Sequence, residues 1–220
     1  MTGRQVLFVK PPDRFLEDEF VYQQLGPHFL QSYLEAHGIQ SDILVLYEKS
    51  DSRLVRLSGE TNFPKLQDLR MLLLRDGASI DVDFDLSIFE SYDVIGMSVL
   101  TPQAPDAYLL NAELKSRIPN ITTVIGGSHP RYYQHQVENL PPAHAFDFIV
   151  PQDGWEPILQ IATGQVTRAE KAQVLVSNFS KLELLPPPTR QVALLEKYHF
   201  NIAGAPAFHT ITALATSPPI

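Results

Sequence analysis

The sequence predicts an α/β protein built on a parallel sheet with helices on both faces. Three observations carry this. Five short apolar runs alternate with stretches whose apolar residues recur at helical spacing. Most of the connections are short, which is how strands and crossover helices pack into one layered domain. With 220 residues, 44% of them hydrophobic and 19% charged, the chain can bury a core and does not have a disordered composition.

Residues 5–10 form the first strand, and Pro11-Pro12 ends it by removing backbone donors. A long loop over 11–23 follows. Leu25, Phe29, Leu30, Tyr33 and Leu34 then mark a helix that stops at His37-Gly38. Residues 41–47 make the second strand. Residues 64–75 read as helical, and 81–85 as strand, turn or acidic loop. The third strand is 93–97, and a helix with Tyr108, Leu109, Ala112, Leu114 and Lys115 lies between Pro102 and Pro119. Residues 122–125 are the fourth strand, 131–140 a helix, 146–150 the fifth strand, and 156–163 a helix closed by Gly164. This alternation predicts a flavodoxin-like (Rossmann-like), doubly wound, five-stranded parallel sheet over residues 1–164. Residues 165–220 read as a linker extension.

A net charge of −8 argues against a nucleic-acid footprint, which needs basic patches to neutralise phosphates. No apolar run reaches the length of a membrane span and the N-terminus lacks a signal-peptide core, so a cytoplasmic location is expected. Zero cysteines exclude disulfides and any iron–sulfur cluster held by the chain's own thiolates. There is no nucleophile elbow, Walker loop or Gly-x-Gly-x-x-Gly, so no catalytic residue is assigned. The seven histidines show no metal-ligand pairing on a predicted helix, and Asp81, Asp83 and Asp85 lack the Gly and Glu that complete a calcium loop. No metal ligand is assigned.

Ligands of open α/β sheets sit outside the carboxyl ends of the strands. There the chain carries Ser98-Val99-Leu100 after one strand and Gly126-Gly127 after the next, a hydroxyl and two residues without side chains. Such a pair lets a long nucleotide tail pass the backbone and be held by one hydrogen bond. Taken singly, Ser98 is a strand-end serine satisfying a local backbone group, and Gly-Gly a tight turn.

With their flanks, residues 25–38, 92–101 and 124–130, these elements resemble the N-terminal B12 (cobalamin)-binding domain of cobalamin-dependent radical S-adenosylmethionine enzymes, which include methyltransferases and an anaerobic ester cyclase. The resemblance covers residues 4–164, with Ser98-x-Leu100 and Gly126-Gly127 matching the family's Ser-x-Leu and Gly-Gly elements. It implies a cobalamin site formed by Pro11 and Pro12, by Ser98, Val99, Leu100 and Thr101, by Gly126, Gly127, Ser128 and His129, and by Gln152, Asp153, Gly154 and Glu156.

Two departures matter. The Asp-x-His-x-x-Gly of methionine-synthase-type domains is absent, and the loop over 10–20 contains no histidine, which implies base-off cobalamin without an imidazole ligand from the protein. His129 is read as a hydrogen-bond partner of a corrin amide or the tail. At the fifth strand the family's Gly-Glu-Gly-Glu-like turn becomes Pro151-Gln152-Asp153-Gly154-Trp155-Glu156, with Gly154 and Glu156 in place. Trp155 either caps the following helix or packs on a corrin edge.

Residues 184–198 resemble the segment that bridges this domain to the catalytic barrel, and 209–217 resemble the barrel's first strand, without the cysteine loop that follows it in the family. The chain is therefore expected to carry cobalamin without its own 4Fe-4S cluster, as a stand-alone carrier or sensor or a truncated enzyme, with a radical SAM barrel chain in trans as a partner docking on the tail. The alternatives are a scaffold protein that keeps the fold and docks to such a chain without corrin, and a flavodoxin-like FMN binder. The last lacks a Ser/Thr/Gly-rich phosphate cradle after the first strand.

Overall fold

The computed structural model describes residues 4–21, 23–50, 65–177, 185–188, 197–198, 201–202 and 205–206. The predicted strand at 209–217 and most of the bridging segment lie outside the described residues.

The strands are β1 (Val6–Lys10), β2 (Ser41–Glu48), β3 (Leu69–Arg75), β4 (Ala78–Asp83), β5 (Val94–Ser98), β6 (Thr122–Gly126), β7 (Phe148–Ile149) and β8 (Gln173–Val174). They form one mixed sheet of eight strands in the order β4-β3-β2-β1-β5-β6-β7-β8. The helices are α1 (Leu25–Ala36), α2 (Ala104–Arg117), α3 (Ser128–Glu138) and α4 (Trp155–Ala162). No helix among the described residues is long and apolar enough to cross a membrane. A separate two-stranded ladder pairs β9 (Asn201–Ile202) with β10 (Ala205–Pro206).

The predicted parallel strands are all present and adjacent, with β1 between β2 and β5, then β6 and β7. Their alternating side chains feed two cores. Leu7, Val9, Ile95, Met97 and Ile125 meet Leu110 and Leu114 of α2 and Val137 of α3 on one face. Val6, Phe8, Val94, Val124 and Phe148 meet Leu34 of α1 and Ile158 and Ile161 of α4 on the other. Burial on both faces is why these strands read as continuous apolar runs.

The five-stranded, all-parallel expectation is corrected at both edges. Residues 64–75 are not a helix: Leu66–Asp68 is a short 3-10 turn and Leu69–Arg75 is β3, antiparallel to β2. The run is buried on both sides, with Met71 and Leu73 in one core and Leu72 and Leu74 in the other. Such a run has no period that separates strand from buried helix. Asp76-Gly77, at φ 51° and 78°, turns β3 directly into β4 with Arg75 opposite Ala78. Asp-Gly is a strong two-residue hairpin signal. The acidic stretch is this edge strand, where Asp81 and Asp83 pair with Arg70. At the far edge β8 pairs parallel with β7, so the sheet continues past residue 164.

Candidate functional site

The carboxyl ends of the central strands open into a cleft of about 220 Å³ on the face covered by α1 and α4. Strand alternation builds its floor. Phe8 of β1, Gly96 of β5 and Val124 of β6 belong to this face. The walls are Phe29 and Leu30 of α1 and Trp155 and Ile158 of α4. Gly26 opens α1 at the cleft, and Gly154 precedes the first residue of α4. Five glycines in the lining, at 26, 96, 126, 127 and 154, leave the room that side chains would take. A Cβ at Gly96 would stand 3.2 Å from the Phe8 ring, and one at Gly154 3.3 Å from Leu30.

Of the sequence-predicted site residues, Ser98, Gly126, Gly127, Gln152, Asp153 and Gly154 line this cleft. Ser98 faces the start of α1, since a Cβ on Gly26 would lie 3.6 Å from its Oγ. Among the described residues Asp153 is the only charged one of the lining, and burial pushes its carboxyl above the ordinary range against the attraction of Arg131.

The remaining predicted residues sit elsewhere. Pro11 and Pro12 are buried in the loop after β1. Val99 is fully buried in the opposite core, Leu100 and Thr101 lead into α2, and Ser128 starts α3. His129 accompanies Val99 on that side. Its ring nitrogen Nε2 lies 2.6 Å from the Tyr108 hydroxyl, its Nδ1 lies 3.4 Å from Thr101 Oγ1, and its ring stacks on Tyr133 at 5.3 Å. Burial lowers its pKa, favouring the neutral imidazole. Glu156 accepts a hydrogen bond from Ser177 Oγ at 3.2 Å, outside the cleft lining.

The two adjacent glycines have different tasks. Gly127 has φ +93°, and a Cβ there would stand 2.7 Å from Val99 N and 2.8 Å from Val99 O. The backbone approaches this closely because Val99 N donates to Gly126 O at 2.9 Å and His129 N donates to Val99 O at 2.9 Å. Only glycine fits. At Gly126 a Cβ would meet Val150 O at 3.7 Å, an ordinary contact, so that position is demanded by the cleft rather than by the backbone.

The apolar lining was not among the predicted site residues. Phe8, Phe29, Leu30, Met97, Val124, Val150 and Ile158 look like core residues in sequence, and nothing but the fold shows that they border open space. Gly26 and Gly96 carried a usable signal, since glycine inside a helix or strand marks a close approach. Trp155 is 6% exposed; it opens α4 and lines the cleft.

The loop after β1 holds a buried ionic network beside the cleft. Lys10 and Asp13, 2% and 0% exposed, pair at 2.5 Å. Glu19 accepts from Asp13 N at 2.6 Å and Glu48 N at 2.8 Å, tying the loop to the end of β2. Burial raises the Glu19 pKa against these hydrogen bonds and the nearby Lys10 charge. Arg14 bridges Glu48 at 2.7 Å and Asp106 at 3.0 Å. Among the described residues no three His, Cys, Asp or Glu side chains are grouped as a metal site.

No protein-family model matches the chain, and neither a curated protein nor a solved structure matches it significantly.

Proposed function

We propose that this chain is a cobalamin-binding module of flavodoxin-like type, holding the cofactor base-off with its nucleotide tail in the cleft. One observation carries the reading: a mostly apolar cleft lies at the carboxyl ends of parallel strands beside β1, where the direction of winding reverses, and it is floored and rimmed by Gly96, Ser98 and Gly126. Of the six parallel strands, the first five run 2-1-3-4-5 when numbered among themselves, the order of that sheet type, with the hairpin β3-β4 and the sixth, β8, added at the edges.

The residues suit the tail in chemistry and size. Phe8, Phe29, Leu30 and Trp155 offer apolar surface to a flat aromatic base, and Ser98 offers a hydroxyl. The cleft suits a nucleotide-sized group and is too small to enclose a macrocycle, so the corrin would lie over the sheet edge. No His, Lys or Arg lines it among the described residues. The cobalt supplies any redox or methyl-transfer chemistry, and the chain supplies orientation and exclusion of water. A radical SAM barrel is the partner this reading calls for, because these 220 residues have no cysteine to hold a 4Fe-4S cluster.

The test is reconstitution with hydroxocobalamin, desalting and absorption spectroscopy. Corrin should remain at about one equivalent, while FMN should wash away. An electron paramagnetic resonance spectrum of the cob(II)alamin form should show no nitrogen superhyperfine triplets. Loss of corrin on desalting would reject the reading.

A further inference from the structure

We infer that Gln103 is a positioning residue, a buried amide clamp that holds the loop after β1 against the loop after β5, at the carboxyl edge of the sheet where the cleft opens. Gln103 is fully buried, between β5 and α2. Its Oε1 accepts from Leu100 N at 2.8 Å. Its Nε2 donates to Pro11 O at 3.0 Å and to Asp13 Oδ1 at 2.5 Å. The partners fix the orientation of the amide, because Leu100 N can only donate and Pro11 O can only accept.

The two halves of this side chain do different work. The oxygen closes a local turn, as many glutamines before helices do. The nitrogen reaches across 92 positions in sequence to the Pro11-Pro12 loop, and no local capping role requires that. Asp13 is fully buried; Gln103 donates to one of its oxygens and Lys10 forms an ion pair with the other. Removing the donor therefore leaves a buried carboxylate short of a partner and the start of the loop without its tie to the β5 side, with Arg14–Asp106 still joining the loop to α2 further on. Gln24, the residue before α1, lies 3.5 Å from the same Gln103 oxygen, so the clamp touches the start of a third rim element.

Gln103→Glu separates the halves. It keeps an oxygen for Leu100 N, deletes the donor, and sets a carboxylate against Asp13. Hydrogen exchange measured by mass spectrometry on the full, unliganded chain should show amides in 11–20 exchanging about tenfold faster or more, with Leu100 still protected. Adding Asp13→Asn reverses donor and acceptor at the residue 13 contact alone, leaves one carboxylate in the cluster, and should restore part of the protection, since Pro11 O still lacks its donor. Unchanged exchange in 11–20 overturns the inference, as does loosening of Leu100 alone or failure of the double variant to recover. Only the ligand arm rests on the cobalamin reading: Gln103→Glu should weaken hydroxocobalamin retention and the double variant should regain part of it. A wild-type chain that retains no corrin rejects the functional reading, and the exchange result still decides the clamp.

Discussion

The two faces of the sheet end differently at their carboxyl edge. On the α2 and α3 side, Val99, His129, Tyr108 and Phe146 continue the packing beyond the last strand residues. On the α1 and α4 side, glycines at 26, 96, 126 and 154 stop it early and leave a cleft. Both faces are apolar, so hydrophobicity does not distinguish a core from a binding site here. The absence of side chains does. The boundary falls at the Gly126-Gly127 pair: both border the cleft, and Gly127 also lets the Val99 backbone close the packed face.

The sharpest way to break this comparison is Gly127→Ala. The new Cβ would meet backbone atoms of Val99 at 2.7 and 2.8 Å, and φ +93° disfavours any L side chain. We expect a loss of about 2–4 kcal/mol in urea unfolding, from overpacking plus backbone strain. A loss under about 1 kcal/mol would show that the strand-end backbone yields and that the close approach is not essential.

Gly126→Val should do the reverse. Its Cβ has ordinary space and a strand tolerates a β-branched residue, so stability should stay within about 1 kcal/mol of wild type. Corrin retention should be lost, because the side chain occupies the cleft. Ser98→Ala, on the same rim, should weaken retention roughly tenfold at most, the cost of one neutral hydrogen bond. Equal losses from both, measured by equilibrium dialysis, would mean that Gly126 acts on folding and not on passage of the tail.

His129→Leu tests the packed face. It removes the 2.6 Å contact to the Tyr108 hydroxyl and should cost about 1–2 kcal/mol of stability. Retention and the paramagnetic spectrum should not change, because His129 is outside the cleft lining. A changed spectrum would place its imidazole at cobalt and reject the no-ligand reading.

The central fold was legible because strands buried on both faces are apolar runs and their connections are short. The hairpin was missed where Leu69 to Leu74 satisfy both faces at once, although Asp76-Gly77 marked its turn. Part of the site was legible for a different reason. Ser98, Gly126 and the turn at 152–154 are unusual residues at strand ends, whereas Phe8, Val124 and Ile158 are ordinary apolar residues whose exposure to a cleft depends on what is missing opposite them. The ionic network of Lys10, Asp13, Arg14 and Glu19 was hidden because charged loop residues ordinarily face water. Here they are turned inward by partners distant in sequence, Glu48, Gln103 and Asp106.

The smallest expected effect concerns Asp153, the one charge in the cleft lining among the described residues. Burial raises its pKa, with Arg131 pulling the other way. The sign follows from linkage. The folded chain prefers the neutral acid, so this group's contribution is full below the unfolded carboxyl pKa and is lost as pH rises through the raised folded value. A tail that brings apolar and anionic groups to the cleft adds to the same preference, so retention should decline as pH climbs through that window. Asp153→Asn is neutral throughout and should remove the slope. Because the carboxyl is partly solvated, the gain at neutral pH should be modest, roughly two- to fivefold. Retention measured from mild acid to neutrality decides it: a variant with the wild-type slope would show that the cleft's pH response arises elsewhere, and that Asp153 belongs to the solvated rim and not to the emptied face.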